Sequence, residues 1–374
     1  MIPQTNPKAA YLAHRDAIDA AIRRVLETGW YILGEEVSAF ENEFARYTGS
    51  KHAVAVASGT DALIVALRGL GVGPGDSVIT VSHTAVATVA AIELAGATPV
   101  LVDIDAYWAM APEALSRLLS DWPESLPRPK AIIPVHLYGQ PADMPAIQAI
   151  ADSHGIAVLE DSSQAHGARL DGRMVGRWGR VNAYSLYPTK NLGAIGDGGI
   201  ITTDDATLAD TMRAIREYGW RQRYISDIPG MNSRLDPLQA AILRVRLGHL
   251  DSDTARRQAI AARYSAGLSG MPGFALPATR ESASPVYHQY VVDAGTRRDD
   301  LQAHLKSREI ATLVHYPVPV HLQPAYRNRI AIGPGGLPNT ERAAASILSL
   351  PLFPQLGDGE VDTVIAAIGD FFRR

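Results

Sequence analysis

Lys190 stands in the stretch YSLYPTKNLGAIGDGGIITT, residues 184–203, between the polar end of an apolar run and a loop carrying four glycines. Most lysines are solvated surface residues. A lysine where the chain is turning into buried sheet invites a different reading. A dry surrounding disfavours the ammonium, lowers its pKa and leaves an amine usable as nucleophile and base. In VLEDSSQAHGA, residues 158–168, Glu160 and Asp161 close another apolar run. A buried carboxylate is costly unless paired. One such group can serve backbone N–H groups, or it can hold a protonated ring nitrogen. A third segment, ASGTDALIVAL at residues 57–67, places Gly59 and Thr60 where a strand meets a helix expected over 61–70, capped by Thr60 or Asp61. Free N–H groups at such a helix start favour a phosphate or carboxylate, although a plain cap accounts for the same residues. Ser185, five residues before Lys190, offers a hydroxyl to the same anion.

Strands are expected at 53–58, 77–81, 99–104, 131–136, 157–161, 181–186 and 199–203. Helical patterns fall between the first five, at 61–70, 84–94, 112–119 and 142–154. Alternation of this kind predicts an α/β protein with a mostly parallel sheet and helices on both faces. Continuous apolar strands such as AIIPV fit burial on both sides. Ligands of such sheets bind beyond the carboxyl ends of the strands, where Asp161, Ser185 and Lys190 are expected. After Asn232 the pattern changes. Asp236 and Pro237 open a helix with apolar Leu238, Ile242, Val245 and Leu250, read as running towards Leu268. It bridges to a smaller α+β domain that holds YHQYVVD, a helix at 298–308 and TLVHYPVPVHLQPAY. The expected division is a large domain over 1–235 and a small C-terminal domain over 236–374.

At 374 residues the chain exceeds the roughly 250–300 at which one core stops growing. The absence of cysteine removes disulfides, thiolate nucleophiles, iron–sulfur clusters and cysteine zinc sites. A net charge of -4 offers no basic surface for nucleic acid. The first residues show no apolar signal core, and the most apolar run, 85–102, is broken by Glu93 and Gly96. A cytoplasmic protein with no membrane or nucleic-acid partner is expected. The histidines include no H-E-x-x-H, so no metal site is expected.

Taken together, the segments resemble the DegT/DnrJ/EryC1/StrS sugar aminotransferase family, pyridoxal-phosphate enzymes of the aspartate aminotransferase fold (fold type I). The likeness runs from GWYILGEEVSAFENEFARYTG (29–49) through ASGTDAL, EDSSQAHGA, SLYPTKNLGAIGDGG and NSRLDPLQAAIL to TLVHYPVPVHLQPAY. The resemblance implies that Lys190 forms the Schiff base to pyridoxal 5'-phosphate and that Asp161 pairs with the pyridine nitrogen. It places Gln164 against the ring or its phenolic oxygen, and Gly59, Thr60 and Ser185 at the phosphate. Asn232 would reach the phosphate of the neighbouring subunit's cofactor, which implies a homodimer with shared active sites. One position departs from the family: the aromatic residue that stacks on the ring in many relatives is here Ala85, and His83 is the nearby ring that can replace it.

The implied reaction moves an amino group from an amino-acid donor, L-glutamate, to a nucleotide-linked keto-deoxysugar. The branch resembled most is the one acting on dTDP-3-keto-6-deoxyhexoses. The competing readings are a 4-keto-sugar aminotransferase, a dehydratase and a non-catalytic regulatory scaffold. Retention of Lys190 and the lack of cysteine favour transamination. For the substrate, His315, Tyr316 and His321 lie in a proline-stiffened loop that either presents polar rings to a sugar or simply connects domains. Tyr31, Tyr218 and Arg221 are further candidates, since a guanidinium fork matches diphosphate oxygens.

Overall fold

The structure is a computed structural model and describes residues 1–373. Its centre is an eight-stranded sheet built from β1 (His52–Val56), β2 (Ser77–Val81), β3 (Thr98–Val102), β4 (Pro129–Ile132), β5 (Ala157–Asp161), β6 (Val181–Ser185), β7 (Gly199–Thr203) and β8 (Ala331–Ile332). The order across the sheet is β1-β7-β6-β5-β4-β2-β3-β8. β7 runs antiparallel to β1 and β6, and every other pair is parallel. All seven expected strands are present, and three have the expected ends. The strand expected over 131–136 stops at Ile132, because Pro134 has no N–H for the ladder, and the chain continues through one isolated bridge, Val135 to Asp161.

Strand alternation explains why these segments read as continuously apolar. Ile79, Val100, Ile132 and Val158 face one side, where they pack with Leu115, Leu118 and Ile147 of two covering helices. Val78, Ala131, Leu159 and Ile201 face the other side, against Leu63, Leu67 and Met212. Burial of each large side chain contributes about 1.5–3 kcal/mol. Apolar residues are therefore needed on both faces, and the alternating polar pattern of a half-exposed sheet is absent.

Two local expectations are corrected. The helix Gly59–Gly69 is capped not by Thr60 or Asp61 but by Ser58, whose Oγ accepts from the Asp61 N–H at 3.0 Å. The helix expected to run on towards Leu268 is broken into Pro237–Leu247 and Leu250–Leu268. Gly248 weakens helix continuity, and the bend serves two cores. Ala240, Leu243 and Leu250 pack with Phe40 and Phe44 of the N-terminal helices. Ile260, Tyr264 and Leu268 pack with Val292, Leu348 and Val364 of the C-terminal part.

A division into large and small domains near residue 236 remains our proposal, with three exchanges across it. Ile2 pairs with Ile310. The helix Pro237–Leu247 lies on the N-terminal helices, and β8 is lent from the C-terminal part to the large sheet.

The end of the sheet bearing Ser58 and Ser185 is closed tightly around Gly199, where an added Cβ would lie 2.1 Å from the Ser58 carbonyl oxygen. That contact is backbone and cannot rotate away. Gly199→Ala is expected to lower stability by about 1–3 kcal/mol, read as a lower urea midpoint with an unchanged m-value.

Candidate active site

Adjacent strand ends gather the polar residues. Asp161 closes β5, and Ser185 closes its neighbour β6, two residues beyond the Ala183 that pairs with Asp161. Lys190 follows on a turn whose N–H bonds the Tyr187 carbonyl at 2.8 Å. Gly193 lets this loop fold back, since a Cβ there would lie 2.5 Å from the Pro188 carbonyl oxygen. Lys190 is half-buried as a residue. Desolvation of its amine outweighs the opposing pull of the Asp161 carboxylate and brings its pKa down from 10.5 to about 8.

Neighbouring residues on a strand point to opposite faces, and the two adjacent carboxylates have different surroundings. Glu160 is fully buried and saturated. It accepts from the N–H groups of Gly176, Trp178 and Gly179 at 2.7, 2.7 and 2.6 Å, and its Oε2 lies 3.0 Å from His136 Nε2. Among the described residues, Asp161, 4% exposed, accepts only from Thr88 Oγ1 at 2.9 Å and the Ser163 N–H at 3.2 Å. Glu160 is thus a structural carboxylate, and Asp161 keeps capacity for a further donor.

The helix start is shaped for an anion. With Ser58 engaged at Asp61, the Gly59 and Thr60 N–H groups have no intrahelical acceptor. A Cβ on Gly59 would approach Ser185 Cβ to 2.5 Å, so only glycine allows helix and hydroxyl so close together. Ser233 steadies the assembly by donating to Asp61 at 2.7 Å and accepting from the Ala57 N–H at 3.1 Å. Asn232, beside it, is exposed.

A hydrogen-bonded chain joins the remaining groups. Gln164 Oε1 accepts from the Tyr138 N–H at 2.7 Å, and its Nε2 donates to the Tyr316 hydroxyl at 3.2 Å. The Tyr138 hydroxyl lies 2.8 Å from His83 Nε2 and also bonds the His315 carbonyl oxygen. Tyr138 is held at φ 61°, a left-handed conformation that costs an L residue about 1–3 kcal/mol. His83 is 1% exposed, and burial lowers its pKa to about 4. His166 falls to about 3 and His315 to about 4, in both cases by burial first and then by the charge of Lys190. His288 is lowered by the same two influences. The lysine therefore stands among neutral imidazoles.

Lys190, Asp161, Gln164, Ser185, Gly59, Thr60, His83, His315 and Tyr316 are brought to this one edge. His321 is held apart from them: its Nδ1 lies 2.7 Å from Ser82 Oγ and its Nε2 3.3 Å from Glu341. Tyr31, Tyr218 and Arg221 lie on exposed segments, with the Tyr31 hydroxyl on the Leu26 carbonyl and Arg221 3.8 Å from Asp227. Sequence reading missed Thr88, Tyr138, His166 and His288. Thr88 lies in the first turn of the helix Val86–Leu94, and its hydroxyl meets that of Thr84, just before the helix, at 3.0 Å.

A phosphate-binding helix start, an under-bonded carboxylate and a desolvated lysine at the carboxyl edge of a doubly covered sheet fit pyridoxal 5'-phosphate. Together they define a lysine-dependent cofactor site on an α/β sheet. The sequence profile of the DegT/DnrJ/EryC1/StrS aminotransferase family matches residues 13–369, and the chain belongs to this family. It is 49% identical over 374 residues to the dTDP-3-amino-3,4,6-trideoxy-alpha-D-glucose transaminase of Streptomyces venezuelae, covering 100% of this chain and 97% of that one. It is 47% identical to the erythromycin biosynthesis sensory transduction protein EryC1 of Saccharopolyspora erythraea, covering 98% of each. The crystal structure of S. venezuelae DesV in complex with a ketimine intermediate superposes with a TM-score of 0.95 at 49% identity, covering 100% of this chain and 99% of that one. The protein is a pyridoxal-phosphate-dependent aminotransferase. Among the described residues no helix is long and apolar enough to cross a membrane.

Two outcomes follow from the electrostatics. In the cofactor-free protein, a lysine lowered to about 8 is roughly one-tenth neutral at pH 7, against about three parts in ten thousand at 10.5. Amine labelling of Lys190, followed by mass spectrometry, is expected to show a midpoint near pH 8. Because Asp161 holds that midpoint up, Asp161→Asn should move it lower still. A midpoint unchanged in Asp161→Asn would separate the two residues. Glu160→Gln replaces a carboxylate bonded to three N–H groups and is expected to cost about 3 kcal/mol in denaturant unfolding.

Proposed function

We propose that this enzyme transfers an amino group from L-glutamate to a nucleotide-linked keto-deoxysugar, best matched by dTDP-3-keto-6-deoxyhexose. The observation that carries this reading is the Lys190 amine, desolvated to about 8 and set against Asp161. The 3-amino dTDP-sugar named for the S. venezuelae relative supports amination at the sugar's third carbon. When bound, the cofactor supplies an electron sink that makes proton loss from a carbon next to nitrogen feasible.

The chain's own residues do the remaining work. Asp161, oriented by Thr88 and Ser163, would hold the proton on the cofactor's ring nitrogen. Lys190 anchors the cofactor and, once free, takes and returns a proton near neutral pH, which general acid–base catalysis needs. Gly59, Thr60 and Ser185 would hold the phosphate, and Gln164 would meet the ring. His83 takes the ring contact that Ala85 cannot make. Asn232, exposed beside the anchored Ser233, serves the partner subunit's phosphate in a homodimer. His315 and Tyr316 face the sugar, with Tyr31, Tyr218 and Arg221 contributing from exposed segments. His321 acts through Ser82 and Glu341 to hold this loop.

A scaffold has no use for a desolvated amine beside a carboxylate, so that reading is set aside. Mass-spectrometric assay of dTDP-3-keto and dTDP-4-keto sugars with L-glutamate tests the proposal. Formation of the 3-amino sugar is expected, with Lys190→Ala at least 10²–10⁴-fold slower. Faster turnover of the 4-keto sugar would overturn the position of amination. A protein that takes up no pyridoxal phosphate would overturn the function.

A further inference from the structure

Two bulky residues beside the site hold a backbone conformation that favours glycine. Trp108 stands at φ 59° and Tyr138 at φ 61°. Such outliers persist where the surrounding structure over-determines them, and they gather at functional sites. Trp108 sits in a turn after β3 that is closed on itself. The Asp105 carboxylate accepts from the Tyr107 and Ala109 N–H groups at 2.8 and 3.1 Å, and the Asp105 N–H donates to the Ala109 carbonyl at 2.8 Å. Arg280, from the C-terminal part, bonds Asp105 and Asp143 and lies 4.3 Å over the Tyr107 ring. The turn so fixed carries the half-buried indole of Trp108 to the Tyr138 ring, edge to face at 5.6 Å and 81°. His83 meets the same ring at 5.9 Å and 78°.

The hydroxyl of Tyr138 has one proton to give. Burial raises its pKa well above 10, so it stays a phenol. Its two neighbours are the His315 carbonyl oxygen, which can only accept, and His83 Nε2 at 2.8 Å. The proton therefore goes to the carbonyl, and the phenol oxygen accepts from His83 Nε2–H. Because burial lowers the His83 pKa to about 4, the ring is neutral at pH 7, that proton is its single one, and Nδ1 is bare. Through its backbone N–H, Tyr138 also bonds Gln164, whose amide donates to the Tyr316 hydroxyl. Tyr138 itself is buried and reaches the site through these neighbours.

We propose that Trp108 and Tyr138 are positioning residues for the sugar half of the reaction. Trp108 pins the Tyr138 ring, and the single Tyr138 hydroxyl fixes His83 as its Nε2–H tautomer while holding the loop of His315 and Tyr316 in place. The inference rests on the sugar-aminotransferase function proposed above and names the residues that set its sugar side. Edge-to-face pairing is directional, so an indole orients a neighbouring ring where an aliphatic side chain would only fill space.

The tautomer is read by proton–nitrogen NMR of the cofactor-free protein labelled at the histidine ring nitrogens, with His83→Gln assigning the signal. At neutral pH the wild type is expected to carry its proton on Nε2. Tyr138→Phe, which keeps the ring and removes the hydroxyl, should show both tautomers. Steady-state kinetics of the holoenzyme supply the second readout. Tyr138→Phe and Trp108→Gly are expected to raise the KM for the dTDP-3-keto sugar about fivefold, with the L-glutamate KM changed by less than about twofold. Glycine accepts φ 59° without strain, so Trp108→Gly removes the indole and spares the turn. Trp108→Phe should recover part of the loss. A proton on His83 Nδ1 in the wild type, or a Tyr138→Phe spectrum identical to it, would overturn the proposal. An unchanged sugar KM in both variants would overturn the positioning role while leaving the function standing. If the wild type aminates no nucleotide sugar, the function fails, and the NMR alone then judges the tautomer.

Discussion

The structure turns on holding one amine out of water without losing it to neutrality altogether. Full burial of an isolated ammonium is prohibitive, and proteins respond by shifting its pKa. For Lys190 the displacement from 10.5 to about 8 corresponds to roughly 3 kcal/mol. Asp161 limits that displacement. With the carboxylate absent the amine would fall further; with it closely paired the amine would stay firmly charged. Neutral histidines on the remaining sides add no counter-charge, so the balance depends on burial and a single acid.

That balance needs rigid walls, and the sheet supplies them. β5 and β6 are interior strands, their apolar residues buried on both faces, so the ends that carry Asp161 and Ser185 have little freedom. Glu160 tightens the same point from the opposite face by gathering three N–H groups of the 176–179 loop. Two adjacent acids thus divide the labour. One is saturated and holds the fold, and the other is left under-bonded at the site.

Strand–helix alternation and the double-faced apolar runs made the large sheet legible in the sequence, because burial on both faces leaves a one-dimensional trace. Lys190, Asp161 and the Gly59–Thr60 turn were legible for a related reason: each is a residue type that is out of place in a buried strand end unless it has work there. The helix cap was assigned to Thr60 or Asp61 because any of several hydroxyl or carboxylate residues can cap, and only coordinates show that Ser58 does. The break at Gly248 depends on two cores at different places in space, which local periodicity does not register. Thr88, Tyr138 and His288 escaped notice because their partners lie 73, 55 and more residues away or are reached only through the tertiary fold.

The substitution of Ala85 for an aromatic residue gains meaning from the same network. An aromatic side chain there would be a local contact, set by its own rotamer. In this chain the nearby ring, His83, is fixed by Tyr138, which also grips the backbone of His315 and, through Gln164, the hydroxyl of Tyr316. The loop bearing those two residues is further tied to the large sheet by Ser82 and His321, and the next helix by Asp103, which accepts from Asn339 and Thr340. The ends of β2 and β3 therefore clamp the C-terminal part directly. A site walled by clamped segments is preorganised, and preorganised dipoles and donors need no rearrangement as charge develops.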